Sequence, residues 1–402
     1  MRADPEDPYV FAIEDRSLQL TWGSLPRLDL CVTVGDISVP LPASRPAYLR
    51  RRGRPARRIG HGPVGPGAIV VDGLEPSTAY DVCIAGPGFP RRRVGQVTTL
   101  DPPPGAVTTC FATINDTHLG ERDFGARGTI VDVVPLPATM LPYPERCARA
   151  AISEAATWGA AMMVAKGDLT RDSEPAEFNE VGRMLRASPI PVRAILGNHD
   201  VLHRVDGPAI LARYGIEVAR QAEAVDLPGI RLILAHTPLP TNRRGRLGRQ
   251  QLDRIAELAA GSPSSVPGSG HPGPAVVALH HPPQRCALPT SYPPGMYGPE
   301  SRTLMTMLRD ANPSSIVIAG HTHRNRTYRI DGITVAEIGS TKDYPGQWAG
   351  YAVHEGGIRQ VVRRVAEPSA IAWTETTRMA LHGHWGRWST STLTQRCWTQ
   401  TW

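Results

Sequence analysis

Two textures of apolar and polar residues follow one another along this chain. In the front part, short runs at residues 17–22, 28–34, 68–71, 79–84 and 94–99 alternate apolar with polar positions and are separated by Gly and Pro clusters. A period of two over four to seven residues predicts strands with one buried face, so residues 1–100 read as a small all-β sandwich. The run Asp101-Pro-Pro-Pro-Gly105 has neither helix nor strand character and reads as a stiff linker. It predicts that residues 106–402 fold around a core of their own.

Beyond residue 105 the runs become apolar on both faces, at 107–114, 161–165, 192–196, 232–235, 276–279 and 316–319. Helical periodicity fills the intervals, for example at 147–158, 178–185 and 250–258. Strands without a polar face, spaced by helices, predict an α/β sheet covered on both sides. Residues 261–274, rich in Ser, Pro and Gly, read as a surface loop. Short strands return at 328–330, 334–338, 351–354 and 360–365, which closes a catalytic domain of residues 106–365. The tail, residues 366–402, holds Trp373, Trp385, Trp388, Trp398 and Trp402 and reads as a cap over a hydrophobic surface.

Composition narrows the class. With 41% hydrophobic and 20% charged residues the chain is an ordinary globular one. Asp4, Glu6, Asp7, Glu14 and Asp15 at the start are unlike a secretory signal, and no apolar run reaches the ~18–20 residues of a membrane span, so a cytoplasmic protein is expected. The six cysteines show no CxxC pair and are expected to be reduced. The net charge of +7 is carried by arginine, since Lys166 and Lys342 are the only lysines. That imbalance reads as a coding bias. Residues 1–100 hold 13 Arg against 10 Asp and Glu, so the clusters at 49–58 and 91–93 read as solvated surface, with a nucleic-acid patch as the alternative.

The chemistry sits where apolar strands stop. Residues 107–114 run into Asn115, Asp116, Thr117 and His118. Residues 161–166 run into Gly167 and Asp168, and 192–196 into Gly197, Asn198, His199 and Asp200. Residues 276–279 run into His280, His281 and Pro282, and 316–319 into Gly320, His321, Thr322 and His323. Side chains at the carboxyl ends of neighbouring strands converge on one crevice of an open α/β sheet. Carboxylate, imidazole and amide oxygen together suit Zn, Mn or Fe, and a carboxylate can bridge two such ions. The set contains no cysteine, which argues against a structural zinc.

These five blocks, Asp-x-His, Gly-Asp, Gly-Asn-His-Asp, His-x-Pro and Gly-His-x-His, resemble in kind and order the calcineurin-like metallophosphoesterase superfamily. The resemblance implies a four-layer α/β/β/α sandwich holding two divalent transition-metal ions. It implies that Asp116, His118, Asp168 and His323 hold the first ion, that Asp168 bridges, and that Asn198, His280 and His321 complete the second. His199 would stand over the phosphate with Asp200 orienting its ring, and a hydroxide between the ions would attack phosphorus. His281 is left behind the ligands, although the His-His pair leaves open which of the two coordinates. His236 reads as standing behind the ligands or simply buried, His382 and His384 as surface. Leu74, Pro76, Thr78 and Tyr80 resemble the turn into a late strand of fibronectin type III domains, which suggests that kind of sandwich for residues 1–100.

Departures refine the expectation. Purple acid phosphatases carry a Tyr ligand three residues after the Gly-Asp aspartate, where this chain has Arg171. Asp168-Leu-Thr170 and His280-His-Pro-Pro283 instead resemble the bacterial cyclic-nucleotide phosphodiesterase group. The expected activity is therefore hydrolysis of a small phosphodiester. The alternatives are a phosphomonoesterase, a nuclease using Arg243–249 and Arg324–326 beside the site, or a scaffold that has lost its ions.

Overall fold

The computed structural model describes residues 8–42 apart from 27, 48–49, 57–58, 65–131 apart from 126, 127 and 129, 141–262, 273–286 and 292–402. Most of the arginine cluster at 49–58 and of the loop at 261–274 lies outside the described residues. The front of the chain forms two antiparallel sheets of three and four strands, beside a two-stranded antiparallel pairing of Tyr48–Leu49 with Arg57–Arg58. One comprises Tyr9–Ile13, Ser17–Trp22 and Gly67–Asp72; the other is ordered Ile37–Pro40, Cys31–Val34, Ala79–Gly86, Phe89–Thr98. Tyr9–Ile13 and Ile37–Pro40 were not anticipated. The first is apolar throughout and so lacks a period of two, and the second alternates over only four residues. Tyr80 closes its turn by accepting the Glu75 amide on its hydroxyl at 2.9 Å.

The larger part of the chain builds two sheets laid face to face. The first is ordered Glu217–Val218, Val192–Ile195, Met163–Lys166, Val107–Ile114, Gln347–His354, Gly357–Arg364, Trp398–Thr401. The second is ordered Glu223–Leu227, Ile230–Leu234, Ala275–Ala278, Ile316–Ala319, Ile333–Glu337, Arg326–Ile330. Alternate residues of each strand serve different layers, as the pleat requires. Phe111, Val164, Ile195, Leu232, Val276 and Ile318 share the core between the sheets. Ala112, Met163 and Ala194 face the helices Tyr143–Trp158 and Pro175–Arg186. Ile233, Val277 and Val317 face the helices Gly248–Ala260 and Gly298–Ala311. The result is the expected four layers. No disulfide links the cysteines, and among the described residues no helix is long and apolar enough to cross a membrane.

The hydrophobic core does not stop at the linker. Phe11, Leu18 and Leu20 of the front sheets belong to the same cluster as Val361, Val362 and Cys397. Buried charge reinforces the junction. The Glu14 carboxylate accepts hydrogen bonds from Trp158 Nε1 (3.2 Å) and Arg359 Nη2 (2.9 Å) and pairs with Arg363. Gln19 and Arg364 exchange amide bonds of 2.8 Å, and Arg396 Nε donates to the Phe11 carbonyl at 2.9 Å. Residues 106–402 thus share their core with the front sheets, against the expectation of a separate one. The strand Gly357–Arg364 offers its apolar and arginine side chains to that face.

Glu14→Ala takes a carboxylate from the buried Arg359, which keeps Asp15, and from the half-buried Arg363, and it should destabilise the whole chain by up to about 3–5 kcal/mol. Urea unfolding of the full-length protein checks this. A loss below about 1 kcal/mol, the range of surface pairs, would mean that the two parts are not locked here.

Candidate metal centre

Three of the five loops leave neighbouring parallel strands of the first sheet. Ile114 lies opposite Ala165, and Lys166 opposite Ile195, so these strands end almost level. The other two leave the second sheet, where Ala278 lies opposite Ile318. Each loop must turn its ligand back over the strand ends within one or two residues. Among the described residues twelve non-glycine residues have φ in the left-handed region, and Asp116, His118, Asp168, His321 and His323 are five of them. That conformation costs of order 1–3 kcal/mol per residue unless the surroundings enforce it, and its concentration here marks a functional site.

The ligand atoms form four overlapping groups, each with its members within 4.8 Å of one another: Asp116, His118 and His323; Asp116, Asp168 and His280; His118, Asp168 and His199; His280, His281 and His321. Asp168 stands at the centre. Its Oδ2 lies 3.7 Å from His118 Nε2 and 3.3 Å from His280 Nε2, while Oδ1 accepts the His199 amide at 2.8 Å. Asp116 Oδ1 lies 3.8 Å from His323 Nε2, and both its oxygens accept the His321 amide at 3.1 Å.

Several of these atoms make no hydrogen bond within the protein. Both ring nitrogens of His118, Nε2 of His280 and of His281, and Oδ1 of Asn198 are buried without a hydrogen bond. Leaving a buried polar atom unsatisfied costs about 1–3 kcal/mol, so five in one place need an outside partner. Lone pairs converging on shared points fit divalent cations. Protein groups fix the ring directions. His280 Nδ1 donates to the Lys166 carbonyl (2.9 Å), which leaves Nε2 facing Asp168. His323 Nδ1 donates to Asp343 Oδ2 (2.8 Å), and His281 Nδ1 meets Thr237 Oγ1 (2.8 Å). His280 therefore reaches both aspartates, whereas His281 faces only the two neighbouring histidines.

Two expectations are corrected. Asp200 does not orient the His199 ring. His199 Nδ1 donates to the Arg171 carbonyl at 2.7 Å, while Asp200 accepts from Leu169 N, Thr170 N, Thr170 Oγ1 and Gly197 N at 2.7–3.1 Å and ties two ligand loops together. A carboxylate one residue after the histidine points away from it in this tight turn, into the backbone amides. The tryptophan tail does more than cover an apolar surface. Trp385 Nε1 donates to Asp343 Oδ1 (3.2 Å), its ring stands edge-on to His323 at 5.7 Å, and Trp388 Nε1 donates to the Thr322 carbonyl (3.3 Å). His382 and His384 are exposed as expected, and His236 lies outside the four groups.

Asp343, Lys342 and Trp385 were missed. Asp343 lies in a polar loop that follows the strand Ile333–Glu337, the same signal that exposed the other five blocks. The arrangement brings together His and Asp groups that could hold metal, with Asp168 in two of the four groups and with His199 and His323 partly exposed.

A family model described as calcineurin-like phosphoesterase matches residues 111–325, more than half of the chain. A Rhodococcus erythropolis protein named "Probable cyclic nucleotide phosphodiesterase" is 26% identical over 231 residues, which cover 56% of this chain and 69% of that one. A Mycobacterium tuberculosis protein named cAMP/cGMP dual specificity phosphodiesterase is 26% identical over 188 residues, 44% of this chain and 54% of that one. The solved structure of a purple acid phosphatase from yellow lupin seeds is 16% identical, covers 90% of this chain and 72% of that one, and gives a TM-score of 0.46.

Without ions, burial would lower the His280 pKa, but the Asp168 carboxylate raises it to about 9, and Asp168 itself is held well below its usual value despite its burial. His280 is then protonated at neutral pH and must lose that proton to coordinate. Cation affinity should therefore rise by up to about tenfold per pH unit toward pH 9 and level off above it. A chelator-competition titration with Mn²⁺ between pH 6.5 and 9.5 checks this, and a flat affinity below pH 8.5 would mean that binding releases no proton from His280.

Proposed function

The chain belongs to the calcineurin-like phosphoesterase family and is a hydrolase acting on phosphate esters, and from that premise we propose that it cleaves small phosphodiesters, 3′,5′-cyclic nucleotides among them, with two divalent ions of Mn, Fe or Zn. The observation that carries this reading is the position of Asp168, shared by two groups of ligand atoms. In this reading Asp116, His118, Asp168 and His323 hold one ion, and Asp168, Asn198, His280 and His321 the other. When bound, the ions supply the Lewis acidity that neutralises phosphoryl charge and activates water.

The remaining chemistry belongs to His199. Its Nδ1–H is committed to the Arg171 carbonyl, so Nε2 is the atom that gives or takes a proton. The ring stands edge-on to His118 at 4.6 Å and is half-exposed, which places it at the opening, where a leaving oxygen would sit. A diester carries one negative charge against nearly two for a monoester at neutral pH, and its leaving alkoxide gains more from a proton donor. The names of the relatives point to the same substrate class.

Two measurements bear on this. His199→Ala should keep two ions per chain while turnover falls by about 10²–10⁴-fold, the range of a positioned acid or base. Loss of an ion by metal analysis would instead make His199 a ligand. For the Mn²⁺-loaded enzyme, kcat/KM for bis(4-nitrophenyl) phosphate should exceed that for 4-nitrophenyl phosphate, with cyclic AMP turned over. A ratio below one without cyclic AMP hydrolysis moves the protein to the phosphomonoesterases.

A further inference from the structure

Lysine occurs twice in this chain against 42 arginines, and both copies lie buried beside the metal centre, Lys166 at 0% and Lys342 at 2% exposure. A coding bias accounts for arginine on the surface. It does not account for the two places where lysine stands. An ammonium is a compact charge whose donors can serve two acceptors in a closed space, whereas a guanidinium is a wide planar fork.

Lys166 Nζ donates to Asn115 Oδ1 (3.0 Å) and to the Ala319 carbonyl (3.2 Å). With its oxygen held there, the Asn115 amide must turn its NH₂ toward Asp116 Oδ2 and the carbonyls of Ile338 (3.1 Å) and Gly339 (3.2 Å). Lys342 Nζ donates to Glu121 Oε1 (2.7 Å) and lies 3.6 Å from Asp343 Oδ2. Asp343 takes the Trp385 N–H on one oxygen and the His323 Nδ1–H on the other, which leaves His323 Nε2 toward Asp116. Each lysine thus reaches, through one intermediary, a different member of the group Asp116, His118 and His323.

We propose that Lys166 and Lys342 are positioning residues for this group, Lys166 through Asn115 to Asp116 and Lys342 through Asp343 to His323, and that the hydrogen bonds they donate raise its affinity for a divalent ion. The proposal rests on the reading of that group as one of the two metal positions. Its sign is diagnostic. A buried positive charge acting only by Coulomb repulsion weakens cation binding, so removing it would tighten the site; a positioning charge does the reverse.

The test is a chelator-competition titration of the full-length chain with Mn²⁺, alongside metal-free thermal melting. Lys166→Met and Lys342→Met should each weaken one of the two Mn²⁺ positions by about 10–100-fold, as loss of an orienting partner does, with the other position and kcat at saturating Mn²⁺ changed by less than about threefold. If Lys342→Met fails to fold, Trp385→Phe removes a donor from the same Asp343 carboxylate while keeping a ring, and weakening of the same position is expected. Unchanged or tighter Mn²⁺ binding in variants that melt like the wild type overturns the proposal. Asp116→Asn separates the two levels: if it loses one ion while the lysine variants bind normally, only the proposal falls. If Asp116→Asn binds both ions normally, the metal assignment falls and the proposal with it.

Discussion

A cluster of imidazole, carboxylate and amide atoms, buried and turned toward one another without protein partners, is the constraint on which the rest of this structure depends. His118 has no hydrogen bond on either ring nitrogen, and Asn198, His280 and His281 each hold one unsatisfied atom. Five residues of the cluster also sit in left-handed backbone that their side chains disfavour. Neither condition survives in an isolated loop. It persists because every loop is rooted in a strand whose residues are buried on both faces, and because the strands end at one level. The ions that would satisfy the lone pairs supply the compensating free energy.

The surroundings are built to hold those atoms in place. Asp200 gathers four donors from two ligand loops, Asp343 fixes the His323 ring, and the Lys166 carbonyl fixes the His280 ring. Further out, the helix His384–Thr390 binds the loop after Gly320, with Asn325 Nδ2 donating to the Ser389 carbonyl at 3.0 Å and the Arg324 guanidinium 4.3 Å over the Trp388 ring. The front sheets brace the opposite edge through Glu14 and its arginines. Elements distant in sequence, at residues 14, 121, 342 and 385, therefore bear on one site or on the sheet that carries it. The charges at Glu14, Glu121 and Lys342 must keep their partners, since removing one member strands the other in a medium that solvates it poorly.

Much of this was legible from the order of residues. Apolar runs at 107–114 and 316–319 coincide with the strands observed, and Asp116, His118, Asp168, His280, His321 and His323, which follow such runs, lie in the four groups of ligand atoms. The signal is local: a strand buried on both faces must be apolar throughout, and a loop that carries a ligand must begin with a residue able to turn. Boundaries drifted where a strand edge is polar, as at Phe89–Thr98, whose start carries three exposed arginines. The helix Gly298–Ala311 went unread because Pro299 and a Ser-Arg-Thr run mask its periodicity.

Sequence alone determined the fold class and which polar side chains follow each apolar run, because these follow from periodicity and residue chemistry over a few positions. Only the tertiary structure decided which atoms meet. It turned His199 onto the Arg171 carbonyl instead of Asp200, carried Trp385 from the tail to Asp343, and merged the front sheets into the central core. It also placed the two lysines, which composition alone presents as survivors of a bias, beside the ligands. The reason is physical: a hydrogen bond or a buried ion pair depends on distance and direction between groups tens to hundreds of residues apart, and no local pattern carries either.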